Sequence, residues 1–230
     1  MGDTSDNRDG KAQYRVEGKN VKRSKRGRLF RDCGGRGKHV VLNFRPYRSP
    51  FEFAGFADAF RDDAARLAKA LAETQGYSDL RALSIVFLYR HAAELYLKAI
   101  VILDRCIESL SKEEGFTLAD IFESHGLSRL LVGLETAFAR AEWDWPPVIE
   151  IEGEAMSVVD VVEELNEVDA RSIAFRYPVD KNLKASLEYN FRFDIEHFAE
   201  AMEVLCGTLA GICLELDRRL DILGDAYDYI

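Results

Sequence analysis

Proline placement is the feature that most narrows what this chain can fold into. The five prolines are Pro46, Pro50, Pro146, Pro147 and Pro178. Proline lacks a backbone donor and clashes with the preceding turn, so it breaks helix interiors. The stretches 51–145 and 179–230 contain none and can carry long helices. Apolar spacing predicts a first helix over roughly 52–74, with Gly76 as its terminating residue. A second, the longest, is predicted over roughly 78–112. Its stripe is Ile85, Leu88, Ala92, Leu95, Ala99, Ile102 and Cys106, stepping three and four residues along one face. A third is predicted over roughly 126–141 and a last over roughly 192–222. The last carries the stripe Ile195, Phe198, Met202, Leu205, Leu209, Ile212 and Leu216. Beside that stripe, Ala201, Gly207, Ala210 and Gly211 are small enough to admit a neighbouring helix. Thr117–Asp120 and Ser157–Asp160 read as helix-opening capping boxes. Two short β candidates, His39–Phe44 and Val148–Glu152, could pair as a ribbon. The expected fold is all-α: an antiparallel up-and-down bundle of four or five helices with, at most, a small two-stranded ribbon.

Charge divides the chain. Residues 1–38 hold 12 Lys+Arg against 5 Asp+Glu, whereas the remaining 192 hold 19 against 35. The basic head is poor in large apolar residues and is expected to be a disordered arm. Lys22, Arg23, Lys25, Arg26, Arg28 and Arg31 could contact a polyanion there, or form no more than a solvated tail. Residues 39–50 read as a linker or short strand, and 51–225 as the helical domain. The acidic body repels phosphate at long range and does not suggest a broad nucleic-acid surface.

Other classes are excluded. No run reaches the ~18 apolar residues of a membrane span. No apolar stretch follows Met1, so no secretory leader is expected and the protein is read as cytoplasmic. Cys33, Cys106, Cys206 and Cys213 form no C-x-x-C pair and read as reduced, largely core thiols. Four scattered histidines add no metal-ligand spacing, so no metal and no cofactor are expected. Gly34-Gly35-Arg36-Gly37 lacks the strand–helix frame of a phosphate loop.

Three segments, taken in order, carry a resemblance. The first is Arg90-His91-Ala92-Ala93-Glu94-Leu95-Tyr96-Leu97-Lys98. The second is Ser124-His125-Gly126-Leu127-Ser128-Arg129-Leu130. The third runs from Asp169 through Phe175-Arg176-Tyr177-Pro178-Val179-Asp180. Together they resemble the HEPN superfamily, the higher-eukaryote and prokaryote nucleotide-binding helical domains, over roughly residues 80–220. That resemblance implies a helical bundle, commonly homodimeric. It also implies either of two activities. Many members are metal-independent endoribonucleases of toxin–antitoxin, phage-defence or CRISPR-linked systems. Others are non-catalytic modules that bind a nucleotidyltransferase partner, an antitoxin or a nucleotide.

Active members carry an R-x(4–6)-H pattern near the start of a late helix. Here Arg192-Phe193-Asp194-Ile195-Glu196-His197 matches it, although so loose a pattern arises about once by chance in such a chain. Phe193 stands where active relatives carry a polar residue. On a regular helix, residues five apart point about 140° away from each other. Arg192 and His197 therefore converge only if Arg192 precedes the helix, with Tyr189-Asn190-Phe191 as lead-in, or if a second copy completes the site. His197 would then act as general base on a ribose 2′-hydroxyl and Arg192 would stabilise the phosphoryl charge.

The remaining candidates form an expected polar cluster. Arg90, Glu94 and Lys98 lie at i, i+4 and i+8 and can ladder along one helix. His91 and Glu94 are expected to meet Arg176 or Asp180 at the bundle centre. His125 is expected to cap the helix it opens. Arg176 and Asp180 flank Tyr177-Pro178 and could pair across the turn, or Arg176 could take a phosphate. Trp143 and Trp145 are expected to be core lids or interface anchors. The enzyme and the binding module both stand on the sequence alone.

Overall fold

The computed structural model describes residues 51–74, 79–112, 121 and 126–228, all within Ser49–Ile230. Five helices and one ribbon are traced among them: α1 Glu52–Ala72, α2 Asp79–Lys112, α3 Leu127–Ala141, β1 Val148–Ile151, β2 Glu154–Ser157, α4 Val158–Val168 and α5 Ile195–Asp228. The fold is the expected all-α bundle with a small ribbon. The basic arm, His39–Phe44, Gly76, Thr117–Asp120 and His125 lie outside the described residues.

The centre of the bundle is α2. A helix of 34 residues spans about 50 Å. From Tyr96 through Asp104 every α2 side chain is buried. A helix enclosed on all sides is a core element rather than a surface one. The single stripe read from the sequence was too narrow: Leu88 and Leu95 are only half-buried, whereas Tyr89, Tyr96, Leu97, Ile100 and Leu103 are fully enclosed. Enclosure follows from neighbours on several sides. α1 lays a seam of Ala54, Ala57, Ala64 and Ala68 into the core. α5 contributes Met202, Leu205, Leu209, Ile212 and Leu216, with Cys206 and Cys213 beside them.

Helix direction follows from pairwise contacts. Tyr96 donates its hydroxyl to Asp58 while Phe60 meets His91, so α1 and α2 are antiparallel. Tyr89 donates to Glu203 at 3.0 Å, and the Cys213 thiol reaches the Tyr96 carbonyl at 3.6 Å. Those contacts advance in step, so α2 and α5 run in the same direction. The antiparallel order thus holds for α1 against α2, and the long segment 142–194 returns the chain before α5 begins. Gly207 receives Arg61 of α1, whose Nη2 would lie 3.6 Å from an added Cβ. The small-residue seam beside the α5 stripe is therefore occupied at that point by α1.

The ribbon among the described residues is a hairpin, and the expected pairing with His39–Phe44 lies outside them. β1 begins where predicted, but its partner is the following strand, with Val148 opposite Ser157 and Ile151 opposite Glu154. Glu152 and Gly153 both take positive φ, 51° and 84°, the geometry of a tight two-residue hairpin. Ile149 and Ile151 face inward and Val148 outward. The hairpin delivers Ser157 to the start of α4. Its Oγ accepts from Asp160 N at 3.0 Å and donates to the Asp160 carboxylate at 2.7 Å. That is the N-cap half of the capping box read from Ser157–Asp160, with the Asp160 carboxylate meeting the Ser157 hydroxyl.

α3 packs against α2 through Gly133. A Cβ at Gly133 would overlap the Cγ2 of Val101. Valine is stiff at χ1 and is here enclosed, so little can give. Gly133→Ala should destabilise by about 1–3 kcal/mol despite alanine's better helix propensity. Chemical denaturation checks this; a stabilised variant would mean that α3 sits farther from α2.

Among the described residues no helix is long and apolar enough to cross a membrane. Cys106, Cys206 and Cys213 are buried free thiols. Burial pushes Cys106 up to about 11 and Cys206 up to about 12, and Cys213 in the same direction. Thiolate is the reactive form. At most one of the four cysteines should therefore react promptly with a disulfide reagent at mildly alkaline pH in native protein, and all four in denaturant. Prompt reaction of two or more native thiols would contradict this packing.

Candidate functional site

The sequence candidates separate into a cleft, a buried charge cluster and a surface loop. The cleft is built where α5 begins. Asp194 is the residue before α5, and its Oδ1 accepts from Glu196 N at 2.8 Å and His197 N at 3.1 Å. It caps the helix. Arg192 consequently lies in the non-helical lead-in, the arrangement that convergence with His197 requires. The same cap occupies the N–H groups that would otherwise greet a phosphate.

A cavity of ≈190 Å³ opens beside this cap. Val86 of α2, Ile151 and Met156 of the ribbon, and Val161, Leu165 and Val168 of α4 form its walls. Phe175, Phe191, Phe193 and Phe198 complete it. These four rings form a continuous row: Phe175–Phe191 at 6.4 Å, Phe191–Phe193 at 5.7 Å and Phe193–Phe198 at 5.6 Å. Phe191 and Phe193 remain 40% and 41% exposed, so this row reaches the mouth. The charged residues on the lining are Arg90, Glu164, Asp194 and His197.

His197 is accessible, and its Nδ1 lies 3.1 Å from Oε2 of Glu152 in the hairpin turn. A carboxylate only accepts, so Nδ1 is the donor in this contact, and Nε2 takes no part in it. Arg192 is exposed and lies outside the lining. The residues on either side of it, Phe191 and Phe193, both line the cavity with touching rings.

Beneath the cleft lies the buried cluster. Arg90, Glu94 and Lys98 are 1%, 1% and 5% exposed. Glu94 accepts from Arg90 Nη1 at 3.1 Å and from Lys98 Nζ at 2.8 Å. The expected i, i+4, i+8 ladder is present, but buried rather than solvated. Its third-segment partner is Asp169, in place of Arg176 or Asp180. Arg90 Nε donates to the Asp169 carbonyl at 3.0 Å and lies 3.6 Å from Oδ2. Asp169 Oδ1 accepts from Ile173 N at 2.7 Å and Ala174 N at 3.0 Å, while its buried Oδ2 has no hydrogen-bond partner. The cluster thereby ties the first resemblance segment to the third. Leu127 of the second segment donates its N–H to Asn166 Oδ1 of α4 at 3.1 Å, three residues before the third segment begins.

The other candidates lie elsewhere. His91 is half-buried between Phe60, edge-on at 4.6 Å, and Phe87, parallel at 5.9 Å. Arg176 is exposed and does not pair with Asp180. Its Nε donates to the Ser172 carbonyl at 2.5 Å, and its guanidinium sits over Phe87 and Tyr177. Asp180 instead accepts from Asn182 N at 2.8 Å and Lys184 N at 3.0 Å, bonds that hold its carboxyl below the usual range. It stabilises its own turn. Tyr177 is exposed at 56%. Trp143 and Trp145 both meet Phe138 edge-on, at 5.2 and 5.4 Å, as lids on α3.

Sequence reasoning missed Glu152, Asp169, Phe191 and a second network. Arg61 donates from Nε and Nη2 to Glu203 at 3.0 and 2.7 Å, where Tyr89 also donates. Glu152, Asp169 and the second network have no local signature, because their partners are far away in the chain, and Phe191 was read only as lead-in to the last helix. Among the described residues no group of His, Cys, Asp and Glu could hold a metal. The chain matches no family model, no curated protein and no solved structure.

Proposed function

We propose that this chain is a HEPN-like helical module that acts by binding, through the aromatic cleft at the start of α5. Supporting the family reading are the ordered triple of segments, the all-α bundle and the bonds between Arg90 and Asp169 that join the first segment to the third. The observation carrying the binding reading is the placement of residues 191–193: both phenylalanines line the cleft and the arginine between them does not. The one arginine that shares the lining with His197 is Arg90, which is already paired with Glu94 and Asp169, so no uncommitted lining arginine supplies the cation that phosphoryl chemistry needs. Glu152, Asp194 and Glu196 crowd carboxylates around the same helix start, which disfavours a phosphodiester further.

A direct test is 19F NMR on protein labelled with 4-fluorophenylalanine. Adding indole should move the signals of Phe191, Phe193 and Phe198 saturably and leave those of α1 in place. Phe193→Leu should weaken the response about tenfold. Unmoved cleft signals would overturn the reading.

One observation favours a second reading, a metal-independent endoribonuclease. Glu152 holds His197 with Nε2 open, as a general base requires. In that reading His197 takes the 2′-hydroxyl proton and Arg192 of a second copy steadies the phosphoryl oxygens. The products would be a 2′,3′-cyclic phosphate and a 5′-hydroxyl. Toxin–antitoxin or defence roles, and a homodimeric state, belong to this reading.

A further inference from the structure

The charge and ring pattern of the cleft select one chemical class of ligand. Arg90 is the basic group at its floor, and two carboxylates already answer it: Glu94 at 3.1 Å and Asp169 at 3.6 Å. Arg90, Lys98, Glu94 and Asp169 together carry no net charge. His197, at the mouth, is answered by Glu152. Two carboxylates of the lining remain, Glu164 and Asp194. Asp194 spends one oxygen on its cap. Glu164 is exposed. The lining thus keeps two further carboxylates, with Arg192 exposed outside it, and the wall beside them is a row of phenyl rings whose faces are electron-rich.

We infer that the cleft binds a small hydrophobic organic cation, with its apolar body among Met156, Val161 and Leu165 and its ammonium group at the mouth. Phe191 and Phe193 would meet that group through cation–π contact, and Glu164 would supply the counter-charge. A neutral aromatic satisfies the rings but leaves the carboxylates unused. An anion meets carboxylates at the entrance. Residues 39–230 hold 19 Lys+Arg against 35 Asp+Glu, so the long-range field also draws cations. The inference rests on the cleft being a binding site, the reading proposed above.

Isothermal titration of the full chain with three probes tests it: benzyltrimethylammonium, benzyl alcohol and phenyl phosphate. The cation should bind saturably, about tenfold or more tighter than either other probe. Phe193→Leu should weaken it about tenfold and Glu164→Gln about fivefold, with melting temperatures kept because both side chains are exposed. Equal or tighter binding of benzyl alcohol or phenyl phosphate would overturn the cation assignment while leaving the cleft a binding site. Binding of no probe by folded protein would overturn both. Binding unchanged in both variants would place the cation elsewhere.

Discussion

Glu94→Ala should cost about 3–5 kcal/mol of stability, the largest effect expected from any single polar substitution in this chain. The Glu94 carboxylate is 2% exposed and serves two buried cations at once, Arg90 and Lys98. Removing it takes a carboxylate from two charges in the core, with Asp169 remaining to Arg90 among the described residues. Small domains are stable by about 5–15 kcal/mol, so the loss is a large share of the total. Urea denaturation reads it as a fall in midpoint at unchanged slope. A companion variant sharpens the test. Replacing Arg90, Glu94 and Lys98 together by apolar residues of similar volume should cost far less than Glu94→Ala alone, because no charge is then left unanswered. A loss below about 1 kcal/mol for the single variant would mean that water reaches the cluster and screens it.

Asp169→Ala should cost about 2–4 kcal/mol and should also weaken cleft binding. Its Oδ1 gathers Ile173 N and Ala174 N, and its carbonyl and Oδ2 face Arg90. Without that side chain two backbone donors lose their partner at the point where the chain turns toward Phe175. Ala174 and Phe175 pack on Val86 in the cleft wall. The ring row would lose its anchored end, so probe affinity should fall with stability. Asp169→Ala and Arg90→Ala should be strongly non-additive, because each removes the other's partner. Additive losses would show that the two groups act separately.

The bundle was readable because long helices declare themselves. Proline-free stretches and three-and-four spacing located α1, α2 and α3 to within two residues, and α5 with its end six residues short of Asp228. The start of α5 is an informative miss. Ile195 opens the helix, three residues later than read, because Asp194 caps it and the aromatic residues before it pack against the cleft instead of continuing the turn. β2 was missed because Glu152-Gly153 is a weak hairpin signal beside Asn-Gly or Asp-Gly. The ladder on α2 was visible as spacing, but not its burial, to which the distant Asp169 loop packed on Arg90 contributes. Asp169 was visible only as the first residue of a loop segment. Its role comes from Arg90, 79 positions earlier. Arg176 and Asp180 look like a pair in sequence, yet a neighbouring aromatic ring and local backbone donors satisfy them first.

The central claim is that the α5 cleft binds and does not cut. The measurement that tests it most directly is cleavage of labelled single-stranded RNA in EDTA by the purified full chain, beside His197→Ala, Arg192→Ala and Glu152→Gln. The binding account predicts the same background rate for all four proteins at several salt concentrations. Cleavage by wild type that yields 2′,3′-cyclic phosphate ends, lost in both His197→Ala and Arg192→Ala, would contradict it and establish the endoribonuclease instead.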